Sequence, residues 1–150
     1  MNSHRGFSLL ELLIVVAIML IIATIAIPNL MRARQSAHET AAVSSLKTIN
    51  AVEVNYMSTS GGSFGSLSDL VNAGLIDQRF SSGNVSGYNF VIAASGADYT
   101  ATATPVSANN GRFAYFSWPD AVIRYSTATS GCGGTGGNCF PAGQSGLPVQ

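Results

Sequence analysis

The hydrophobic and polar positions divide the first third of the chain into two different helical patterns. Residues 7–27 are apolar except for Ser8, Glu11 and Thr24. As an α-helix such a segment spans about 30 Å, the thickness of the hydrocarbon core of a bilayer. Residues 29–58 are mixed and carry an apolar stripe at helical spacing, formed by Ala42, Leu46, Ile49, Val52 and Tyr56. We therefore predict one helix of about fifty residues and roughly 75 Å, apolar in its first half and amphipathic in its second.

Pro28 interrupts this helical pattern. Its ring removes one backbone donor and clashes with the preceding turn. We predict a kink near Thr24 and Pro28 rather than an end of the helix. The apolar first half, residues 7–28, must then be covered by lipid or by other copies of the chain, because it is too long for the core of a 150-residue globule.

Residues 59–150 predict a small globular head. Ser66 and Asp69 have the spacing of a capping box, and Gly74 is placed as a C-terminal stop, so a short helix is expected between them. Four strands are expected after it, at residues 88–94, 99–104, 112–118 and 121–125. Short connections favour an antiparallel meander, with one face against the amphipathic half of the long helix. The predicted fold class is α+β, a long kinked N-terminal helix on a small four-stranded antiparallel sheet.

Composition narrows the classes of function. Lys+Arg and Asp+Glu number 7 each, so the formal net charge is zero. A nucleic-acid binder needs a basic patch to neutralise phosphates, and this balance argues against one. The two histidines, His4 and His38, and the scattered acidic residues offer little material for catalysis or for metal ligands. No Gly-Lys-Ser/Thr loop for nucleotide is present, so we predict a protein that is not an enzyme and has no cofactor or metal.

Glu11 is the most informative residue of the apolar segment. A carboxylate costs roughly 2.5–3.5 kcal/mol near the centre of a membrane helix and less toward an end. One interpretation places Glu11 at the interface, where the helix dipole favours an anion. The other makes it a buried carboxylate that pairs with a cation from a chain terminus or from another chain, because residues 7–27 hold no Lys or Arg.

A resemblance to a known family lies in residues 6–28, which begin GFSLLELLIVVAI and end at Ile27-Pro28. This segment resembles the N-terminal signature of type IV pilins and related pseudopilins. The resemblance implies that a prepilin peptidase and methyltransferase cuts after Gly6, which makes residues 1–6 a leader peptide, and methylates the new N-terminus at Phe7. It also implies that Glu11 pairs with a Phe7 amine, its own or a neighbour's, during subunit assembly.

The same resemblance implies a structural function. The chain is expected to be a prepilin that spans the inner membrane once, with its N-terminus in the cytoplasm. It would then become the subunit of a helical homopolymer, an extracellular type IV pilus that serves adhesion, twitching motility or DNA uptake. An inner-membrane assembly platform and its ATPase would act on it in trans. The alternative within this resemblance is a type II secretion pseudopilin that forms a periplasmic piston.

Two further interpretations of the apolar segment stay open. A secretory signal peptide would end at a small-residue site such as residues 23–26, although Glu11 and the length of the segment count against it. An uncleaved helix that tethers a binding domain would keep residues 1–6. The charges do not decide the orientation, because Arg5 precedes the segment while Arg32 and Arg34 follow it.

The sequence departs from the family pattern at two positions. Leu20 stands where many major pilins carry glycine, and Thr24 stands where they carry a small residue. The helix therefore has less glycine to help it unwind before Pro28, so a melted segment is not assumed. The Thr24 hydroxyl can instead bond a freed carbonyl.

Cys132 and Cys139 lie in the Gly-rich C-terminal loop. In an extracytoplasmic domain the natural interpretation of such a pair is a disulfide. A metal site is poorly supported, because neither cysteine has a histidine or an acidic residue nearby.

Overall fold

The computed structural model of the protein describes residues 7–127 and 147–149. Gly6, Cys132 and Cys139, for which cleavage and a disulfide are predicted, lie outside the described residues. The chain divides into two compact units, and the boundary lies between Arg34 and Gln35. The helices are α1 (Leu9–Thr59), α2 (Leu67–Asn72) and a 3-10 helix (Gln78–Ser82). The strands are β1 (Asn84–Val85), β2 (Tyr88–Ser95), β3 (Asp98–Pro105), β4 (Phe113–Ser117), β5 (Ile123–Thr127) and β6 (Leu147–Pro148).

Helix α1 continues through Pro28, as predicted. Proline has no backbone N–H, so the carbonyl of Thr24 loses its usual donor one turn later. Two side-chain hydrogen bonds flank this point: the Thr24 hydroxyl donates to the carbonyl of Ile21 at 2.7 Å, and Asn29 Nδ2 donates to that of Ile25 at 3.0 Å. The Thr24 hydroxyl thus donates to the carbonyl of Ile21, whereas the carbonyl that Pro28 leaves without a donor is that of Thr24 itself. The kink at Thr24 and Pro28 stays a prediction.

The first unit leaves its apolar side chains uncovered. Every large apolar side chain of residues 7–31 is at least 41% exposed, and Phe7 and Leu9 reach 74% and 80%. By length and composition this part of α1 can cross a membrane, a test that a secretory signal sequence also passes. A continuous apolar surface of this extent marks contact with lipid or with another protein surface.

In the second unit, the remainder of α1 packs on the sheet. The predicted stripe is confirmed, because Ala42, Leu46 and Ile49 are buried, and Val52 and Tyr56 pack against the same core. The sheet contributes alternate residues of its two longest strands: Tyr88, Phe90 and Ile92 from β2, and Tyr99, Ala101 and Ala103 from β3. Alternation of this kind follows from the pleat, which turns successive side chains to opposite faces.

The sheet is an antiparallel meander with the order β1-β2-β3-β4-β5-β6. Strands β2 to β5 are the four predicted strands, with ends shifted by two residues or fewer. The predicted count of four is too low, because β1 and β6 add a two-residue strand at each edge. The α+β class is confirmed.

The short helix α2 confirms its predicted signals. Ser66 is its N-cap, and the reciprocal bonds of the capping box with Asp69 are both formed. The side-chain and backbone hydrogen bonds from Ser66 lower the pKa of Asp69. After the helix, Gly74 adopts a φ of +68°, the left-handed conformation that glycine adopts without steric cost.

Candidate functional site

The candidate assembly site lies at the start of α1. The carbonyl of Ser8 accepts hydrogen bonds from the amides of Glu11 at 3.1 Å and Leu12 at 3.2 Å, so helical bonding begins directly after Phe7. Glu11 therefore lies in the first turn, where unpaired N–H groups and the helix dipole favour an anion. Four residues separate Glu11 from Phe7, a rise of about 6 Å in a helix.

The surroundings of Glu11 are apolar. It is the single charged residue of positions 7–31 in the sequence, and its side chain and the large apolar side chains around it are all exposed. Once lipid or protein covers this surface, the carboxylate loses water, and a nearby cation becomes its most favourable partner. The first-turn position agrees with both interpretations of Glu11, the dipole contact and the ion pair.

The second unit contains another set of polar residues, which the sequence did not reveal. Glu39, Asn50 and Glu53 of α1 are buried against the sheet. They lie at helical spacing along the apolar stripe. This spacing is the signal in the sequence that could have identified them as buried. Polar groups are found at such positions when specific partners satisfy them.

Asn50 connects α1 to two strands. Its Nδ2 donates to Ser117 Oγ of β4 at 2.7 Å, and its Oδ1 accepts from the Tyr99 hydroxyl of β3 at 2.9 Å. Both hydrogen bonds are buried. Because burying these groups unpaired would cost about 1–3 kcal/mol each, the three residues fix the position of the helix along the sheet.

Glu39 is held by Arg112, which directly precedes β4. Arg112 Nη2 lies 3.1 Å from Oε2, its Nε lies 3.2 Å from Oε1, and its backbone N–H donates to Oε1 at 2.8 Å. Burial raises the pKa of Glu39, but the hydrogen bonds and charge of Arg112 outweigh it, and the pKa is lowered. The Arg112 side chain stays 61% exposed and lies 5.2 Å from the Phe113 ring centroid. This ion pair fixes the β3–β4 connection to α1.

Glu53 is fully buried with a single hydrogen bond. Its Oε2 accepts from the backbone N–H of Gly65 at 3.0 Å. Within the described part of the chain, its Oε1 has no hydrogen-bond partner. Burial raises the pKa of Glu53 by more than the Gly65 bond lowers it, and the charge of Asp69 adds to the rise. The fold therefore favours the protonated form.

The wild-type chain should lose folding stability at higher pH because of Glu53, and we expect Glu53→Gln to prevent that loss. Because the folded-state pKa of Glu53 lies above its ordinary value of 4.5, wild type loses stability as pH rises from 4.5 through the folded-state pKa. Each unit by which the folded-state pKa is raised corresponds to about 1.4 kcal/mol of unfolding free energy. Glutamine still accepts the hydrogen bond from Gly65 and cannot ionise. The free energy of unfolding of the variant, relative to that of wild type, should therefore increase from pH 4 to pH 7. Denaturant unfolding of the full chain in detergent at both pH values measures this change.

Glu39→Gln is the matched control for the Glu53 variant. Its folded-state pKa is lowered, so wild type loses stability at this residue as pH falls below 4.5. The Glu39 variant should therefore lose stability relative to wild type on going from pH 4 to pH 7, the reverse of Glu53→Gln. A difference between Glu53→Gln and wild type that does not change with pH would contradict the prediction.

The structure places the remaining predicted residues as follows. Thr24 and Pro28 lie one turn apart in the first unit. Within residues 7–127 and 147–149, no three His, Cys, Asp or Glu side chains come together to hold a metal ion. The described geometry thus concentrates the candidate function in the exposed apolar helix with Glu11 in its first turn.

Comparisons with known proteins point to the same segment. Residues 1–27 match the family model described as the prokaryotic N-terminal methylation motif. Forty residues are 52% identical to the type IV wide pilus major component PilA4 of Thermus thermophilus. The match covers 27% of this chain and 30% of that protein, so it spans less than a third of the curated relative. No solved structure matches the chain. The resemblance to the type IV pilin family is confirmed, and the family model locates it at residues 1–27.

Proposed function

We propose that this type IV pilin-like chain is the structural subunit of a type IV pilus filament. It would be made as a prepilin, cut after Gly6 and methylated at Phe7. The observation that carries the proposal is the first unit, where every large apolar side chain of residues 7–31 is exposed and one carboxylate lies in the first turn. Lipid would cover this surface in the precursor, and helices of other copies would cover it in the filament.

Assembly would then need no bond breaking in the chain. The apolar side chains exchange lipid contacts for helix–helix contacts, which leaves the Glu11 carboxylate and the Phe7 amine as the charged groups in the apolar core. Their attraction is strong at low dielectric and weak in water. Pairing between Glu11 and a Phe7 amine, its own or a neighbour's, would align each incoming subunit.

The partners and location follow from this function. A prepilin peptidase and methyltransferase would process the chain, and an inner-membrane platform with its ATPase would drive extraction. The precursor would span the inner membrane with its N-terminus in the cytoplasm, and the filament would lie outside the cell. In that oxidising environment we propose that Cys132 and Cys139 form a disulfide. PilA4, as its name states, is a pilus component, which supports the filament role.

The first test is the N-terminus of the assembled protein. We expect mass spectrometry of protein sheared from the cell surface to find N-methylated Phe7 as the first residue. Gly6→Leu should block this cleavage, because the added side chain obstructs the peptidase, whereas Ser3→Leu in the same leader should not. A mature chain that starts at Met1 or at Ile27 would refute the pilin function.

Electron microscopy separates the pilus from the pseudopilin. A pilus subunit predicts long fibres on wild-type cells that are absent from a deletion strain and return on complementation. Surface fibres that are unaffected by the deletion, together with a secretion defect, would favour the periplasmic piston.

A further inference from the structure

We propose that the connection between β3 and β4, residues 106–112, contacts the phospholipid headgroup layer while the precursor is held in the membrane. The inference rests on the proposed membrane-held precursor. It adds to that proposal a lipid contact made by the head, with Val106 and Arg112 as the residues that make it.

A short tether joins this connection to the membrane segment. Gln35 Nε2 donates to the carbonyl of Ala108 at 2.8 Å. Gln35 follows Met31 by four residues, and Met31 is the last exposed large apolar side chain of the segment. Four helical residues rise about 6 Å, and even four extended residues span no more than about 14 Å. Gln35 follows Pro28, the end of the predicted membrane segment, by seven residues, a helical rise of about 10 Å. Because each headgroup layer is about 5–7 Å thick, Ala108 lies close to its outer surface.

The connection also carries side chains that suit a lipid surface. Residues 106–112 hold one cation, Arg112, and no acidic residue. Val106 is 54% exposed, and the side chain of Arg112 is 61% exposed while Glu39 fixes its direction. A connection that exposes both an apolar side chain and an oriented guanidinium suits a lipid surface, because the valine can enter the acyl boundary while the guanidinium bonds phosphate.

The other end of the head carries an exposed negative charge. The amide of Phe64, which follows the C-terminal end of α1, donates to the carbonyl of Gly96 at 3.0 Å. This bond places the β2–β3 turn, with exposed Asp98, beside the end of α1 that lies farthest along the chain from the membrane segment. An anionic membrane surface repels the Asp98 end, whereas the Glu39–Arg112 pair carries no net charge and still exposes the guanidinium to phosphate.

Tryptophan fluorescence tests the contact directly. The chain contains a single tryptophan, Trp118, so Trp118→Phe supplies a background free of tryptophan. In that background Val106→Trp probes the connection and Val54→Trp is the matched control, because these valines are 54% and 55% exposed. Val54 follows Gln35 by 19 residues, a helical rise of about 28 Å. The full chain is placed in phosphatidylcholine–phosphatidylglycerol vesicles whose acyl chains carry bromine near the headgroup.

We expect the bromines to quench Val106→Trp at least twofold and to leave Val54→Trp unquenched. Equal, negligible quenching of both would overturn the inference. Leu20→Trp, read with bromine deep in the acyl chain, tests the membrane-held precursor separately. If Leu20→Trp is quenched and Val106→Trp is not, the headgroup contact fails alone. If Leu20→Trp is not quenched, the proposed membrane insertion itself fails.

The guanidinium is tested without leaving a buried charge unpaired. Arg112→Gln is combined with Glu39→Gln and read through Val106→Trp, and Glu39→Gln alone is the control that keeps the exposed cation. The double variant should lose more than half of the quenching and the control should keep it. Full quenching in the double variant would refute the phosphate contact of Arg112.

Hydrogen exchange of the wild-type chain checks the result where a variant does not fold. Amides of residues 106–112 should exchange several-fold more slowly in vesicles than in neutral detergent, and those of residues 52–58 should not change. Equal rates in both media for residues 106–112 would overturn the contact.

Discussion

Replacing Glu11 with valine should abolish filaments, or reduce their number at least tenfold, while the precursor is still made, inserted and cut after Gly6. In lipid the substitution is neutral or favourable, because hydrocarbon accommodates valine well and a carboxylate badly. In the filament it leaves the Phe7 amine buried without its anion, a penalty of several kcal/mol per subunit. Counting filaments by electron microscopy and measuring subunit levels by immunoblot separates assembly from expression.

Two variants bound the interpretation of the Glu11 result. Leu12→Val introduces the same side chain at the adjacent position, which is also exposed, and it should assemble normally. Glu11→Gln keeps the size of the side chain and removes its charge, so it should fail as Glu11→Val does. Normal filament number in Glu11→Val cells with wild-type protein levels would return Glu11 to the interfacial interpretation.

Replacing Gly111 with alanine should destabilise the head by about 3 kcal/mol, at the upper end of the cost of overpacking a core. The added Cβ would overlap the Tyr88 hydroxyl and lie 2.6 Å from Tyr88 Cζ. Tyr88 is fully buried, and its hydroxyl donates to the carbonyl of Phe113 at 2.9 Å, so the ring has little freedom to move. Thermal and denaturant unfolding of the full chain in detergent measure the loss.

Tyr88→Phe is the partner variant for Gly111→Ala. Alone it should cost about 1 kcal/mol, because the carbonyl of Phe113 loses its donor. Combined with Gly111→Ala it removes the atom nearest to the new Cβ, so the double variant should lose less stability than the sum of the two single losses.

Gly74→Ala is the steric control. It adds a methyl group in open space at a φ of +68° and should cost about 1 kcal/mol. A loss below 0.5 kcal/mol in Gly111→Ala, on the scale of ordinary surface substitutions, would contradict the prediction.

Patterns in short stretches of the sequence predicted the elements that depend on interactions between residues close together in the chain. The apolar run, the stripe through Leu46 and the capping box of Ser66 each correspond to structure within a few turns of the chain. Alternation predicted β2 and β3 because one face of each strand is buried. The two-residue strands β1 and β6 are too short to show alternation, so only their partner strands define them.

The buried acids show where prediction from the sequence stops. A glutamate on an apolar stripe is expected at its edge, yet Glu39 is buried because Arg112, 73 residues later, supplies three hydrogen bonds. Glu53 is buried beside the backbone of Gly65 with no cation among its contacts in the described residues. At the candidate assembly site, the motif predicts that Glu11 pairs with a Phe7 amine, its own or a neighbour's. Pairing with a neighbour's amine would involve two chains, so it is not encoded in the folded geometry of one.

The edges of the sheet have a consequence for the proposed filament subunit, which would have to associate through its helix and not through its sheet. In the described residues, the strands at both edges are two residues long, and one of them, β6, contains Pro148, which has no N–H to donate. Long edge strands with unpaired backbone groups invite pairing between molecules and lead to aggregation. In the proposed filament, strands as short as β1 and β6 offer few backbone groups for pairing between heads, so we expect the apolar helix to direct the association of subunits.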